Sequence, residues 1–418
     1  MSHQPTGRGA SRPTRAVDRR TFLAGAGAAA ASFSIVQPEA ARAYAAHAKV
    51  NLGILGCGSR GAWIADLFLK HGGYHIVAVA DYFQDRVDRV GDKLQIPQPR
   101  RYPGLSGYRR LLEQKVDAVA IESPPYFHPE QAAAAVDAGC HVYVAKPIAV
   151  DVPGCHSIAR SGAQATAKKL CFLVDFQTRA DPYYVEALKR VREGALGRLV
   201  FGEATYHAGD PFLRMYDAWK SDPDNPEVRL RAWGLDKVLS GDIITEQNIH
   251  TLDVMSWIMD EEPLYADGSG GRSVRPVGTC WDHFTAHFQY PDRVGITFSS
   301  RQFEGHGSVP EGIRNRMFGS EGVLETAYGG DVLIRGKHFY RGGASPQIFR
   351  DGAVANIAAF HKDILEGNCA NATVAPSVRS NLVTILARTA AYTGERVYWR
   401  KLVESDERLE ANLRGLRS

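Results

Sequence analysis

Beyond Lys49 the chain alternates short, almost unbroken apolar runs with longer helix-like stretches. The runs at 50–55, 76–80, 118–121, 141–144 and 170–174 have four to six residues each, the length and composition of strands buried on both faces. Helical stretches at 62–70 and 129–138 fall between them. Such alternation predicts an α/β unit with a parallel, doubly wound sheet, whose ligands sit beyond the carboxyl ends of the strands. After a helical repeat of Val185, Leu188 and Val191 the period shortens to two. Residues 200–206, 284–290 and then Val294, Ile296 and Phe298 alternate apolar with polar or small positions. Period two predicts strands with one buried face, hence an α+β unit on a mixed, largely antiparallel open sheet with helices on one side. Tyr290-Pro291-Asp292-Arg293-Val294 reads as a hairpin corner within it.

Chemistry enters at the end of the first run, where the strand leads into Gly56-Cys57-Gly58-Ser59-Arg60-Gly61 and then a helix. A second strand ends at Asp81, 20 residues past the last glycine. Strand, glycine turn, helix, strand and acid together form the dinucleotide-binding fingerprint of a Rossmann domain. Gly56 permits the tight turn, Gly58 lets the backbone approach a pyrophosphate, and Gly61 allows the helix to pack closely on the strand. Ser59 and Arg60 open the helix at the phosphate side. Asp81 accepts from ribose hydroxyls and repels an added 2′-phosphate, favouring NAD, while Arg60 and Arg86 keep NADP possible. Pro124, His128 and Lys146 follow later strands and belong to the same crevice.

In the second unit, the stretch 242–259 reads as helical for much of its length, with Glu246, His250, Asp253 and Trp257 sharing a face. Such a stripe is either a solvated surface or an acid/base site in which two carboxylates orient His250 and raise its basicity. The cluster lacks a recognised ligand spacing, so no metal is expected. Tyr206, His207, Arg214, Tyr216, Trp219 and Trp233 either line a carbohydrate site or form a subunit contact.

Residues 1–43 carry six arginines against Asp18 and Glu39, a net +4 that equals the charge of the whole 418-residue chain. The remaining sequence is formally neutral, which gives no reason to expect nucleic acid as a partner. An Arg-rich start, an apolar stretch at 22–36 and Ala-Arg-Ala ending at Ala43 have the order of an export signal. Arg19-Arg20-Thr21-Phe22-Leu23 resembles the twin-arginine type, with Asp18 where Ser or Thr is more usual. The expected organisation is a twin-arginine leader at 1–43, a nucleotide domain at 48–176 and a substrate and oligomerisation domain at 177–418, in a periplasmic or secreted protein. No run reaches the ~20 apolar residues of a membrane span. A composition of 44 % apolar and 23 % charged residues excludes a disordered or collagen-like chain. Six cysteines without a CxxC pair read as buried thiols with no required disulfide.

The glycine turn, Lys146-Pro147, the stretch 176–179, the segment bearing Glu246 and His250, and the tail from Ser377 to Trp399 resemble the glucose-fructose oxidoreductase / inositol dehydrogenase (Gfo/Idh/MocA) family over about residues 50–400. That resemblance implies a nicotinamide cofactor, a small carbohydrate or polyol substrate and a homo-oligomer, dimer or tetramer. Lys146 matches the family's lysine beside nicotinamide and substrate, and His250 its acid/base histidine. Glu246 stands where the family has Asp, Ala145 replaces the Glu before the lysine, and Arg179 matches an arginine on the substrate side. The implied reaction is oxidation or reduction at a secondary alcohol of a sugar or cyclitol, with His250 as base and Lys146 holding the reacting oxygen. Three readings follow: an oxidoreductase with a tightly bound cofactor, a redox-neutral glycosidase or lyase acting through a transient 3-keto sugar, and a non-catalytic nucleotide sensor.

Overall fold

The computed structural model describes residues 49–304 and 312–418; the export leader expected at 1–43 lies outside the described residues. Six strands form a wholly parallel first sheet. They are β1 (Val50–Leu55), β2 (Tyr74–Asp81), β3 (Arg101–Pro103), β4 (Ala118–Ile121), β5 (His141–Ala145) and β6 (Phe172–Asp175), in spatial order β3-β2-β1-β4-β5-β6. The chain reverses direction across the sheet between β1 and β4, and there the loops after the two strands part to leave a crevice. Alternate residues feed opposite cores: Ala118 and Ala120 join one apolar cluster, Val119 and Ile121 the other. This two-sided burial is why the strands read as unbroken apolar runs.

The second sheet has nine strands. β7 (Leu199–Ala208) lies inside it, followed in the chain by β8 (Tyr265–Gly271), β9 (His283–Gln289), β10 (Gly295–Gln302), β11 (Gly312–Gly319), β12 (Gly322–Ala327), β13 (Asp331–Gly336), β14 (Tyr340–Ala344) and β15 (Val397–Tyr398). The order is β14-β13-β12-β11-β7-β10-β9-β8-β15. Only the β7–β10 pair is parallel. The β9–β10 corner falls where the sequence placed it, with Asp292 and Arg293 at φ 54° and 63°, as a two-residue primed turn requires. Helices Ile249–Met259 and Val374–Thr393 pack on one face, and the second also touches Val152–Ala167 of the first unit. One apolar cluster therefore runs through both sheets.

Two segments beyond residue 176 complete the first unit. Helix Ile348–Glu366 lays Ala353, Ile357 and Phe360 into the core beneath β1 and β2, and the chain after Val403 returns to the loops that follow β2 and β3. All six cysteines are free thiols, with Cys171 Sγ 3.5 Å from Cys369 Sγ. Among the described residues no helix is long and apolar enough to cross a membrane.

The stretch 242–259 is helical for most of its length, as expected, but with one break. It runs Asp242–Glu246 and resumes at Ile249–Met259. The carbonyl of Glu246, which would accept from His250 N–H in a continuous helix, instead accepts from Lys146 Nζ at 2.6 Å, and His250 N–H turns to Gln247 O at 3.2 Å. Nor is the polar stripe a solvated face, since Glu246, His250 and Asp253 are all buried.

Candidate active site and cofactor cleft

At the end of β1 the backbone turns through Gly56 at φ +99°, a conformation that side chains resist. A Cβ on Gly61 would fall 1.8 Å from Gly56 O, so the helix Ser59–His71 packs against the turn only with glycine there. A Cβ on Gly58 would meet nothing within 4 Å. Open space thus faces Gly58, and no side chain caps the helix that starts after it, leaving its first N–H groups for an anion. Asp81 closes the ribose side, its Oδ2 accepting from Cys57 N–H at 2.7 Å and its Oδ1 from Phe83 N–H at 2.9 Å. Each oxygen keeps a lone pair for a ribose hydroxyl. Burial raises the Asp81 pKa, with Arg86 and the two N–H groups opposing. The cleft holds about 630 Å³ including its mouth, and Gly56, Gly58, Asp81, Ser123 and Pro124 line it.

The reacting end lies where β5 delivers Lys146. Its ammonium is buried, 2.6 Å from Glu246 O and 3.4 Å from Glu246 Oε1. Burial, followed by Arg60 among the charges, lowers the Lys146 pKa, while Glu246 opposes. His250 sits beside this pair, 5.1 Å from the Tyr328 ring between centroids. No carboxylate orients it: His250 Nδ1 has no hydrogen-bond partner. Burial and then the cations Lys146 and Arg60 push its pKa well below the usual value. This corrects the expectation of a histidine made more basic by two acids. Glu246 is held by Lys146, and Asp253 is taken by Arg179 through contacts of 2.8–3.1 Å.

Three further expected residues have partners within the protein. Arg179 pairs with Asp253 and lies 5.1 Å over Trp257, which ties the end of β6 to the helix Ile249–Met259. Arg60 pairs with Glu122, which lines the cofactor cleft, at 2.9 Å and with Asp175. His128 has both ring nitrogens against carbonyls, Ser123 O at 2.7 Å and Pro147 O at 2.8 Å. Burial pushes it down to about 4, so the neutral ring donates to one of them and braces the loops behind the cleft. The aromatic segment also divides: Trp219 and Tyr216 pack in a small core of their own, Tyr206 donates to Gln247 Oε1 at 2.7 Å, and Trp233 lines the cofactor cleft.

Sequence reasoning missed Glu122, Asp175, Gln177 and Tyr328. Asp175 and Gln177 carried a readable signal, polar groups just past the carboxyl end of a parallel strand. Asp175 is fixed by Asn356 Nδ2 at 2.7 Å and Gln177 Nε2 at 3.1 Å. Burial raises the Glu122 pKa to about 7. Tyr328 follows β12, far along the chain from His250, and no local pattern marks it. Its hydroxyl, Gln177 Oε1 and His250 Nδ1 are buried without partners, as in a site whose ligand supplies the missing bonds.

A family model described as "Oxidoreductase family, NAD-binding Rossmann fold" matches residues 50–174, and one described as "GFO/IDH/MocA C-terminal domain" matches residues 184–325. The chain belongs to the GFO/IDH/MocA family. Among solved structures of the same fold, scyllo-inositol dehydrogenase from Lactobacillus casei superposes with TM-score 0.65 at 20 % identity, covering 85 % of this chain and 99 % of that one. Aldose-aldose oxidoreductase from Caulobacter crescentus gives 0.65 at 20 %, covering 84 % and 99 %. Curated relatives include a "Glycosyl hydrolase family 109 protein" from Shewanella baltica, 29 % identical over 46 % of each chain, and an "Alpha-N-acetylgalactosaminidase" from Shewanella oneidensis, 32 % identical over 38 % of this chain and 35 % of that one. The chain thus spans less than half the length of the curated relatives it matches. As a GFO/IDH/MocA protein it takes NAD, and its cleft fits that cofactor: open space before Gly58, an uncapped helix start and the Asp81 carboxylate correspond to pyrophosphate and ribose. Among the described residues no group of three or more His, Cys, Asp or Glu is arranged to hold a metal.

Proposed function

We propose that this chain oxidises a secondary hydroxyl on a sugar or cyclitol ring, or reduces the matching ketone, with NAD retained in the cleft between turnovers. The observation that supports this is the buried Lys146–Glu246 pair beside the unpartnered His250 Nδ1 at the carboxyl end of β5. NAD, when bound, supplies a hydride acceptor at such a site. The protein must move the hydroxyl proton, and a base works best with a pKa near the working pH. Burial and Arg60 lower the Lys146 pKa from its usual ammonium value, which favours the neutral amine, whereas burial and the cations Lys146 and Arg60 push the His250 pKa well below its usual value and weaken it as a base. Lys146 therefore takes the proton, Glu246 steadies the ammonium that results, and neutral His250 holds the hydroxyl. These roles are the reverse of those expected from the resemblance.

Asp81 supports NAD over NADP. The twin-arginine-like leader supports export to the periplasm or beyond, where a dehydrogenase without a free nucleotide pool depends on a cofactor it carries. A homo-oligomer belongs to the same proposal.

A second reading has its own support in the glycosidase names of the curated relatives. In it, transient oxidation at C3 of a glycoside acidifies the neighbouring C–H, the aglycone is eliminated, and the cofactor ends in its starting redox state. Absorbance at 340 nm of the NAD-loaded protein separates the two. Lasting, stoichiometric reduction by a ring polyol or aldose supports the oxidoreductase. Aglycone release from an aryl glycoside without net redox change replaces it with the glycosidase, and neither signal with any ring polyol overturns both.

A further inference from the structure

The adenosine side of the cleft is not built by the first unit alone. Leu230 and Trp233, from the stretch between β7 and β8, line it together with Phe83 and Leu105. Leu230, Leu239 and Phe83 form a separate small core, and Trp233, Ala411 and Leu416 pack on it. The segment that carries Leu230 is latched to the first unit. Arg231 reaches Asp85 at 3.0 and 3.2 Å and lies 3.9 Å over the Phe83 ring, while Arg86 Nη2 donates to Arg231 O at 3.4 Å.

The C-terminal segment crosses the same wall from outside. Leu409 N–H donates to Asp151 Oδ2 at 3.0 Å, Leu105 N–H donates to Arg417 O at 3.0 Å, and Arg417 Nη2 donates to Tyr82 O at 3.1 Å. Tyr82 and Leu105 line the cleft; residues 405–418 do not. Their contacts brace the wall and add nothing to its inner surface.

We propose that Leu230 and Trp233 are cofactor-contacting residues that cover the adenosine half of NAD, and that residues 405–418 act as a strap holding this cover shut. The proposal rests on the reading above that NAD stays in this cleft. An indole and a leucyl group over a planar base exclude water from it, and release then requires the cover and its strap to part. Such a gate acts on the dissociation rate more than on the association rate.

The test uses the full chain loaded with NADH, whose fluorescence is followed in a stopped-flow chase with excess NAD. Trp233→Ala removes the cover, and Leu416→Glu loosens the strap at a residue that packs behind Phe83 and Leu230 but does not itself line the cleft. Each is expected to speed release about tenfold or more, the effect of about 1.4 kcal/mol, with a native circular dichroism spectrum. A chain ended at Glu404 is the second strap variant if Leu416→Glu misfolds, and Leu230→Ala the second cover variant. Release within twofold of wild type in the folded variants overturns the proposal, as does a wild-type protein that releases NADH within a turnover. A wild-type protein that binds no NADH removes the underlying reading and the proposal with it. Loss of sugar oxidation with slow release intact sinks the proposed reaction alone.

Discussion

Around Lys146, the side chains of Glu122, Asp175 and Glu246 lie buried and paired either with Lys146 or with the partly exposed Arg60, whereas in the cofactor cleft Asp81 faces a wall of Phe83, Leu105, Phe127, Leu230 and Trp233. Buried ions depend on every partner, because removing one leaves another charge unpaired in low dielectric. An apolar wall responds in proportion to the area lost. The reacting end should therefore fail abruptly and with pH, and the apolar wall at the adenosine end gradually and without it.

The sharpest way to break that comparison is Lys146→Ala. Loss of a general acid/base typically costs about 10²- to 10⁴-fold in rate, and Lys146 is absent from the adenosine wall. The expected result is a fall of that size in kcat with NADH affinity changed by less than about threefold. Equal losses in both would show that the two ends are not separable.

Asp253→Ala probes a charge pair that supports the site from behind. Its carboxylate is fully buried on the nearly buried Arg179, and breaking such a pair costs about 3–5 kcal/mol of stability. Urea denaturation should report a loss of that order, with residual activity in the folded fraction. An unchanged midpoint would show that the Arg179–Asp253 pair does not stabilise the fold.

How much of this was legible follows from where each signal is stored. β1, β2, β4, β5 and β6 are local and buried on both faces, so their apolar runs and the glycine turn announced the first unit and one end of the cleft. The hairpin at 290–294 was equally local. The helical character of 242–259 was legible but its break was not, because the break is a tertiary event: Lys146, a hundred positions away, takes the Glu246 carbonyl. The same distance hid the pairing of Arg60 with Asp175 and the approach of Tyr328 to His250. Leu416 carried no signal at all, since a leucine in a polar tail becomes informative only once the wall it braces is seen.

Asp81→Ala tests the polar element of the apolar end. A hydrogen bond to a charged group is worth about 1.5–3 kcal/mol, so NAD affinity should fall roughly ten- to hundredfold while NADP, which the carboxylate repels, gains relative to NAD. Titration with both cofactors decides it, and an unchanged NAD-to-NADP ratio would move ribose recognition elsewhere.

Glu246→Gln gives the smallest and most discriminating change, a displacement along the pH axis. Glu246 raises the Lys146 pKa against burial and Arg60, so removing its charge lowers that pKa further. If Lys146 must be neutral to take the hydroxyl proton, activity rises with pH as the lysine deprotonates, and the acid limb of the variant moves to lower pH. Glu246 is not among the influences on His250. A limb that stays where it was would therefore assign the base to the histidine, and activity that instead falls with pH, on a basic limb moved to lower pH in the variant, would mean that the ammonium form is the active one. Because burial leaves the folded-state Lys146 pKa below its unfolded value near 10.5, the unfolded chain binds the extra proton in the interval between them, and stability rises with pH through that interval. In the variant this interval begins at lower pH, so a denaturation series across it reads the same displacement without reference to activity.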